Sequence, residues 1–155
     1  MIEIHPAKLT DLPKINQVVL SAVMNWPAPH RLKRLAAPVL QYDNTDLENL
    51  EVLVATFRGE IVGAAVWDPS PNHQLPNGNG GLFHGLFVLP IVQGQGIGKR
   101  LMDTVFAKAR ARRTRGLLIK AQRVSRTYFE HQKLCLLYTS PSPRDVEESR
   151  MPSSA

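Results

Sequence analysis

A chain of 155 residues, 43 % apolar and 21 % charged, can bury the core of one globular domain, which excludes disorder as its default state. No apolar stretch reaches the length of a membrane span, Met1–Lys8 lacks the layout of a signal peptide, and one cysteine, Cys135, excludes a disulfide framework and offers no metal cluster. The net charge of +6 fits an anionic partner, either nucleic acid or a phosphorylated small molecule, and a soluble cytoplasmic protein is expected.

In chain order, Ile2–His5 reads as a first strand. Thr10 or Asp11 offers an N-cap, and Pro13 sits in the first turn of a helix whose apolar face is Leu12, Ile15, Val19, Ala22 and Val23. Asn25–Pro29 breaks it, and a second helix is expected from about Arg31 to Tyr42. Glu51–Phe57 and Ile61–Trp67 read as strands joined through Arg58-Gly59-Glu60. Asp68–Gly81, rich in Pro, Asn and Gly, reads as a loop. Leu82–Leu89 is a strand whose Gly85 marks a bulge or a close backbone approach. A helix from about Gly96 to Arg113 turns Ile97, Leu101, Met102, Val105, Phe106 and Ala109 inward. Leu117–Ile119 is a short buried strand, and Ser125–Gln132 starts a last helix. The order β-α-α-β-β-β-α-β-α defines one mixed α/β domain, a central sheet flanked by helices.

Between the strand at Leu82 and the helix at Gly96 lies Gln93-Gly94-Gln95-Gly96-Ile97-Gly98-Lys99-Arg100. Glycines let successive backbone N–H groups converge on an anion, and the helix N-terminus adds its positive pole. A dinucleotide fingerprint would need glycine where Lys99 stands, and a P-loop would need Gly and Ser/Thr where Gln93 and Arg100 stand, so neither fits.

The pattern Gln93-x-x-Gly96-x-Gly98, after Val88-x-Pro90 and before Lys99-Arg100-Leu101-Met102, resembles the acetyl-CoA motif of the GNAT acetyltransferase superfamily. The resemblance spans residues 1 to about 132 and is specific over roughly Gly81 to Leu101. It implies an N-acetyltransferase that passes the acetyl group of acetyl-CoA to a primary amine by direct attack. It also implies that the turn amides hold the pyrophosphate while the preceding strand pairs with the pantetheine arm; the implied amides are those of Val88, Gln93, Gln95, Gly96, Gly98 and Lys99, with Gly94 and Ile97 also in the cofactor site. Phe87 or Val88 would then give the N–H for the developing oxyanion, with Lys99 and Arg100 beside the cofactor phosphates.

Amine acylation also needs a base, because an alkylamine arrives mostly protonated at neutral pH. His84 matches a position where family members carry Glu or His, and an ordinary imidazole suits the task. The competing reading is a structural strand histidine. For the thiolate, the family's usual tyrosine position holds Phe129, with Tyr128 one residue earlier; Tyr128 is either the acid or core packing. Trp26 and His30 are candidates for the acceptor pocket, together with the 68–81 segment, although a tryptophan after a helix is more often core. The acceptor itself, a small-molecule or peptide amine, is not readable, and a homodimer stays open.

Arg110, Arg112, Arg113 and Arg115 read as a solvated helix end. Two alternatives stand beside the enzyme: an acyl-CoA sensor without catalysis, kept open by the displaced tyrosine, and a basic nucleic-acid module, for which no helix-turn-helix, zinc or RNP signature exists. From Cys135 the character changes. Cys135–Asp145 resembles translated sequencing adaptor, so the GNAT domain is expected over residues 1–134 and a non-native or disordered tail over 135–155. The family's final two strands are then expected to be missing, leaving Leu117–Ile119 with an open edge.

Overall fold

The computed structural model describes residues 1–75, 78–114, 116–121, 136–138 and 148–149. It is an α/β domain on a mixed sheet, with elements β1 (Ile2–Pro6), α1 (Leu12–Met24), α2 (His30–Val39), α3 (Asn44–Asn49), β2 (Glu51–Phe57), β3 (Glu60–Leu75), β4 (Gly78–Val88), α4 (Ile97–Ala111), β5 (Leu117–Ala121), β6 (Leu136–Tyr138) and β7 (Glu148–Ser149). Short 3-10 turns at Leu9–Asp11 and Pro90–Val92 precede α1 and α4. By packing the chain divides into two compact units: Met1–Asp68 with Gly85–Lys108, and Pro69–His84 with Ala109–Ala155.

In the first unit, β1 pairs antiparallel with β2, and β2 with β3, from Glu51↔Trp67 to Phe57↔Glu60. The two-residue connection has φ of 52° at Arg58 and 80° at Gly59, the paired left-handed geometry whose twist suits a tight hairpin. Even-numbered Val52, Val54, Ala64 and Val66 pack with Ile15, Val18, Val19, Ala22 and Val23 of α1. Alternation sends the odd-numbered residues to the other face. There α4 lies so close that a Cβ on Gly63 would stand 3.1 Å from Leu101 Cδ1 and 3.3 Å from Phe87 O. The sheet is thus covered on both faces in this unit. Asp11 Oδ2 accepts from Lys8 N–H at 2.8 Å and makes no cap bond to α1, so the 3-10 turn takes the carboxylate that the sequence assigns to the helix.

In the second unit, β4 pairs parallel with β5, β5 parallel with β6, and β6 antiparallel with β7. Gly81 N–H donates to Gly116 O at 3.1 Å, and a Cβ on neighbouring Gly80 would collide with that carbonyl and with Leu75. Leu75, Leu82 and Leu118 form this unit's own small core.

Three expectations are corrected. The 68–81 segment is mostly strand, belonging to β3 and β4. Pro69 and Pro71 remove donors from one edge of β3 only, because N–H groups two residues apart point the same way, and β2 has already ended opposite Trp67. The second helix stops at Val39, and Asn44–Asn49 forms a separate helix capped by Asp43, whose carboxylate accepts from Asp46 N–H at 2.9 Å. The edge of β5 is covered in part: Ile119–Ala121 pairs with Leu136–Tyr138, which reaches Ile119 of the run Leu117–Ile119. Leu136–Tyr138 lies ahead of Pro141 and Pro143, so its ladder donors are intact. The expected helix from Ser125 falls outside the described residues.

Candidate active site

β4 ends at Val88, and Leu89 N–H closes onto Val62 O at 2.9 Å, anchoring the exit of the strand to β3. Pro90 then opens a 3-10 turn, where its lack of N–H costs nothing. Gln93 N–H donates to Pro90 O at 3.2 Å, and its side-chain Nε2 donates to Val88 O at 3.2 Å. Gln93 is therefore spent on shaping the turn through both its amide and its side chain.

Beyond Gln93 the chain turns through φ of 83° at Gly94 and 79° at Gly96, a conformation that costs an L-residue with a side chain about 1–2 kcal/mol. Gln95 stands between them, exposed. α4 begins at Ile97, which is buried and anchors the helix start, and Arg100 N–H is the first to reach back one turn, to Gly96 O at 3.0 Å. Among the described residues nothing accepts from the N–H groups of Gly94, Gln95, Gly96, Ile97, Gly98 or Lys99. Consecutive unpaired donors at the positive pole of a helix form an anion cradle. Of the amides that the motif implies, that of Gln93 is engaged within the turn, while those of Gly94 and Ile97 are unpaired like their neighbours.

The two cations of this turn differ. Lys99 Nζ bonds Asp103 Oδ2 at 2.6 Å, both side chains being mostly exposed. Arg100 Nη1 donates to Ile2 O at 2.9 Å and so ties the first turn of α4 to β1. That tie spans 98 residues of sequence, and no local pattern announces it.

Of the other candidates, His84 is exposed on β4, four residues before Val88. Phe87 is buried, and Val88 is half-buried at the end of the strand. Trp26 packs against the first unit's core, while His30 is exposed at the start of α2. Tyr128 lies outside the described residues. An open depression of about 570 Å³ is lined by Met1, Glu3, His5, Lys14, Thr56 and Arg58 among others, and includes no residue of the turn. No group of three or more metal-ligating side chains occurs among the described residues. No described helix is long and apolar enough to cross a membrane.

A family model described as an acetyltransferase (GNAT) domain matches residues 48–140, more than half of the chain, including the whole turn. The chain belongs to the GNAT acetyltransferase family. A ribosomal-protein-alanine N-acetyltransferase from Brucella melitensis biovar Abortus 2308 is similar, with TM-score 0.65, 23 % identity, and coverage of 92 % of this chain and 98 % of that one. The PaiA N-acetyltransferase of Thermoplasma acidophilum, solved with coenzyme A, gives TM-score 0.72 at 12 % identity over 94 % and 95 % of the chains. A GNAT acetyltransferase from Brucella melitensis, solved with acetyl-CoA, gives 0.58 at 21 % identity over 83 % and 81 %. At these identities the likeness shows the fold. No curated protein matches the chain.

Proposed function

We propose that this chain transfers the acetyl group of acetyl-CoA to a primary amine of a small molecule or peptide. The observation that carries the reading is the run of unpaired N–H groups from Gly94 to Lys99 at the start of α4. Their donors suit the oxygens of a pyrophosphate, and glycine at 94 and 96 leaves room for close approach, since no atom lies within 4 Å of either Cβ position. The structural relatives solved with coenzyme A or acetyl-CoA support the same ligand.

When bound, acetyl-CoA supplies a thioester, which activates the acetyl group for transfer. The chain's own part is to bind, orient and move protons. Amides 94–99 hold the phosphates, and Lys99 adds a cation beside them. The end of β4 lies immediately before this cradle, and the N–H of Phe87 or Val88 donates to the acyl oxygen as charge develops. His84 takes the proton of the incoming ammonium, directly or through one water. Tyr128 supplies the proton for the thiol side, and Trp26 and His30 serve the acceptor side.

The test is calorimetry of the full chain with acetyl-CoA against its pantetheine portion. The pyrophosphate cradle predicts that removal of the phosphates weakens binding by about a hundredfold or more, the order expected when several charge-assisted bonds are lost. Equal affinity for both, or no binding of either, rules the reading out. Salt-steep binding of DNA that acetyl-CoA does not displace would assign the basic charge to nucleic acid instead.

A further inference from the structure

Asn16 of α1 and Tyr42, in the stretch between α2 and α3, exchange two hydrogen bonds. Asn16 Nδ2 donates to Tyr42 O and Tyr42 N–H donates to Asn16 Oδ1, each at 2.9 Å. A reciprocal pair of this kind fixes the backbone of Tyr42 against the helix. Its side chain is then directed inward, with 6 % of the residue exposed. The ring meets Phe87 edge-on, centroids 6.3 Å apart and planes at 70°, the arrangement the aromatic quadrupoles favour. A Cβ on Gly85 would stand 2.7 Å from the Tyr42 hydroxyl oxygen and 2.6 Å from Phe87 Cε2. The hydroxyl and the Phe87 ring therefore occupy the space that any side chain at position 85 would need. Burial, and secondarily the Asp46 carboxylate, push the Tyr42 phenol well above its ordinary range. Burial thus favours the neutral hydroxyl, which packs against Gly85.

We propose that Tyr42 is a positioning residue for acyl transfer, holding the Gly85–Val88 end of β4 on the backbone path that presents the Phe87 and Val88 N–H groups to the acyl oxygen. This rests on the acetyl-transfer reading above. The phosphate cradle lies further along the chain and is held by other bonds, from Leu89 to Val62 and from Gln93 to Val88. Because Leu89 keeps its own tie to Val62, Tyr42 acts more on turnover than on acetyl-CoA binding.

The experiment is Tyr42→Phe, which keeps the ring and removes only the hydroxyl, followed by Gly85→Ala and the double variant, all in the full chain. In Tyr42→Phe, amide hydrogen exchange across Gly85–Val88 of the free protein should rise about tenfold or more while Leu53 and Val54 of β2 keep their protection, a local opening. With acetyl-CoA and a reactive amine, kcat should fall about tenfold, with a clearly smaller rise in the acetyl-CoA dissociation constant. Because Gly85 and Tyr42 compete for one space, the double variant should lose less than the product of the two single losses. A Tyr42→Phe protein with unchanged or uniformly raised exchange overturns the proposal, as do strictly multiplying losses or a lowered Tm with unaltered kcat. If wild type neither binds acetyl-CoA nor turns over, the acetyl-transfer reading fails by itself. The exchange measurement still decides whether Tyr42 holds β4.

Discussion

At its C-terminal end α4 closes on itself: Arg113, with φ of 58°, donates its N–H to Arg110 O at 2.9 Å, and Thr114 N–H reaches Ala109 O at 2.9 Å. These are the two bonds of a Schellman motif, and Arg110, Arg112 and Arg113 place positive charge at the negative pole of the helix. At its N-terminal end the same helix leaves its first donors unmatched, extends them backward through Gly94, Gln95 and Gly96, and sets Lys99 and Arg100 against the positive pole. Folding alone explains the first end. The second spends cations where the dipole opposes them and donors where nothing in the described chain accepts them, an arrangement that a bound polyanion would complete.

The largest expected effect comes from closing the open end. Gly96→Asp puts a carboxylate among the free amides at φ of 79°. It should weaken acetyl-CoA binding by about a hundredfold or more, roughly 2.7 kcal/mol, as read by calorimetry. Unchanged affinity would mean that the two ends do not differ in function.

The chemistry is assigned to the strand that precedes the turn, so the next variant separates binding from catalysis. His84→Ala should lower kcat by about a hundredfold, the usual contribution of a positioned base, with little change in acetyl-CoA affinity. The acidic limb of the pH–rate profile should disappear with it. Steady-state kinetics that leave kcat intact would return His84 to a structural role.

Two glycines with nearly the same conformation sharpen the comparison further. Gly59 in the hairpin has φ of 80° and Gly96 in the turn 79°, and neither has an atom within 4 Å of its Cβ position. Alanine at either site should cost about 1–2 kcal/mol of stability, the left-handed penalty. Only Gly96→Ala should also change the acetyl-CoA dissociation constant. Equal behaviour of the two variants in both assays would reduce the open turn to an ordinary chain reversal.

How much of this was legible beforehand varied with the range of the interactions. The β2–β3 hairpin could be read because Arg58-Gly59 stands between two apolar runs, and the turn at Gln93–Gly98 because glycine spacing is itself the geometric signal. α3 was missed: its Asp43 cap and Asp46 partner are a usable start signal, but six residues carry no apolar period. The strands within 68–81 were hidden by composition, since proline and glycine punctuate most chains and only pairing shows which edge has lost its donors. Around the turn, the glycine conformations could be read, whereas Arg100's hold on Ile2 and the Asn16–Tyr42 clasp could not. These contacts join residues 98 and 26 positions apart, and nothing local encodes them.

A smaller effect is expected at the closed end. Arg113→Gly relieves about 1 kcal/mol or more of left-handed strain. It gives up about 0.3 kcal/mol of helix-dipole interaction at an exposed site. Denaturant titration should therefore find it slightly more stable than wild type, with acetyl-CoA affinity unaltered. A change in affinity would break the division of labour between the ends.

The smallest effect on stability, and the most telling in sign, belongs to Lys99. Its pair with Asp103 is an exposed i,i+4 contact at 2.6 Å with side-chain exposures of 60 % and 57 %, so solvent screens it heavily. The order is also the poorer one, with the cation N-terminal to the anion. A lysine in the first turn repels the positive pole by about 0.3 kcal/mol or more, which offsets most of an ion pair worth about the same. Lys99→Ala should therefore leave Tm almost unchanged or slightly raised, since alanine is also the better helix former. The same change should weaken acetyl-CoA binding about threefold to tenfold, and the gap between variant and wild type should shrink as salt is added. A residue kept for folding would show the reverse, a lowered Tm with affinity intact. That outcome would place Lys99 with the solvated arginines at the other end of α4.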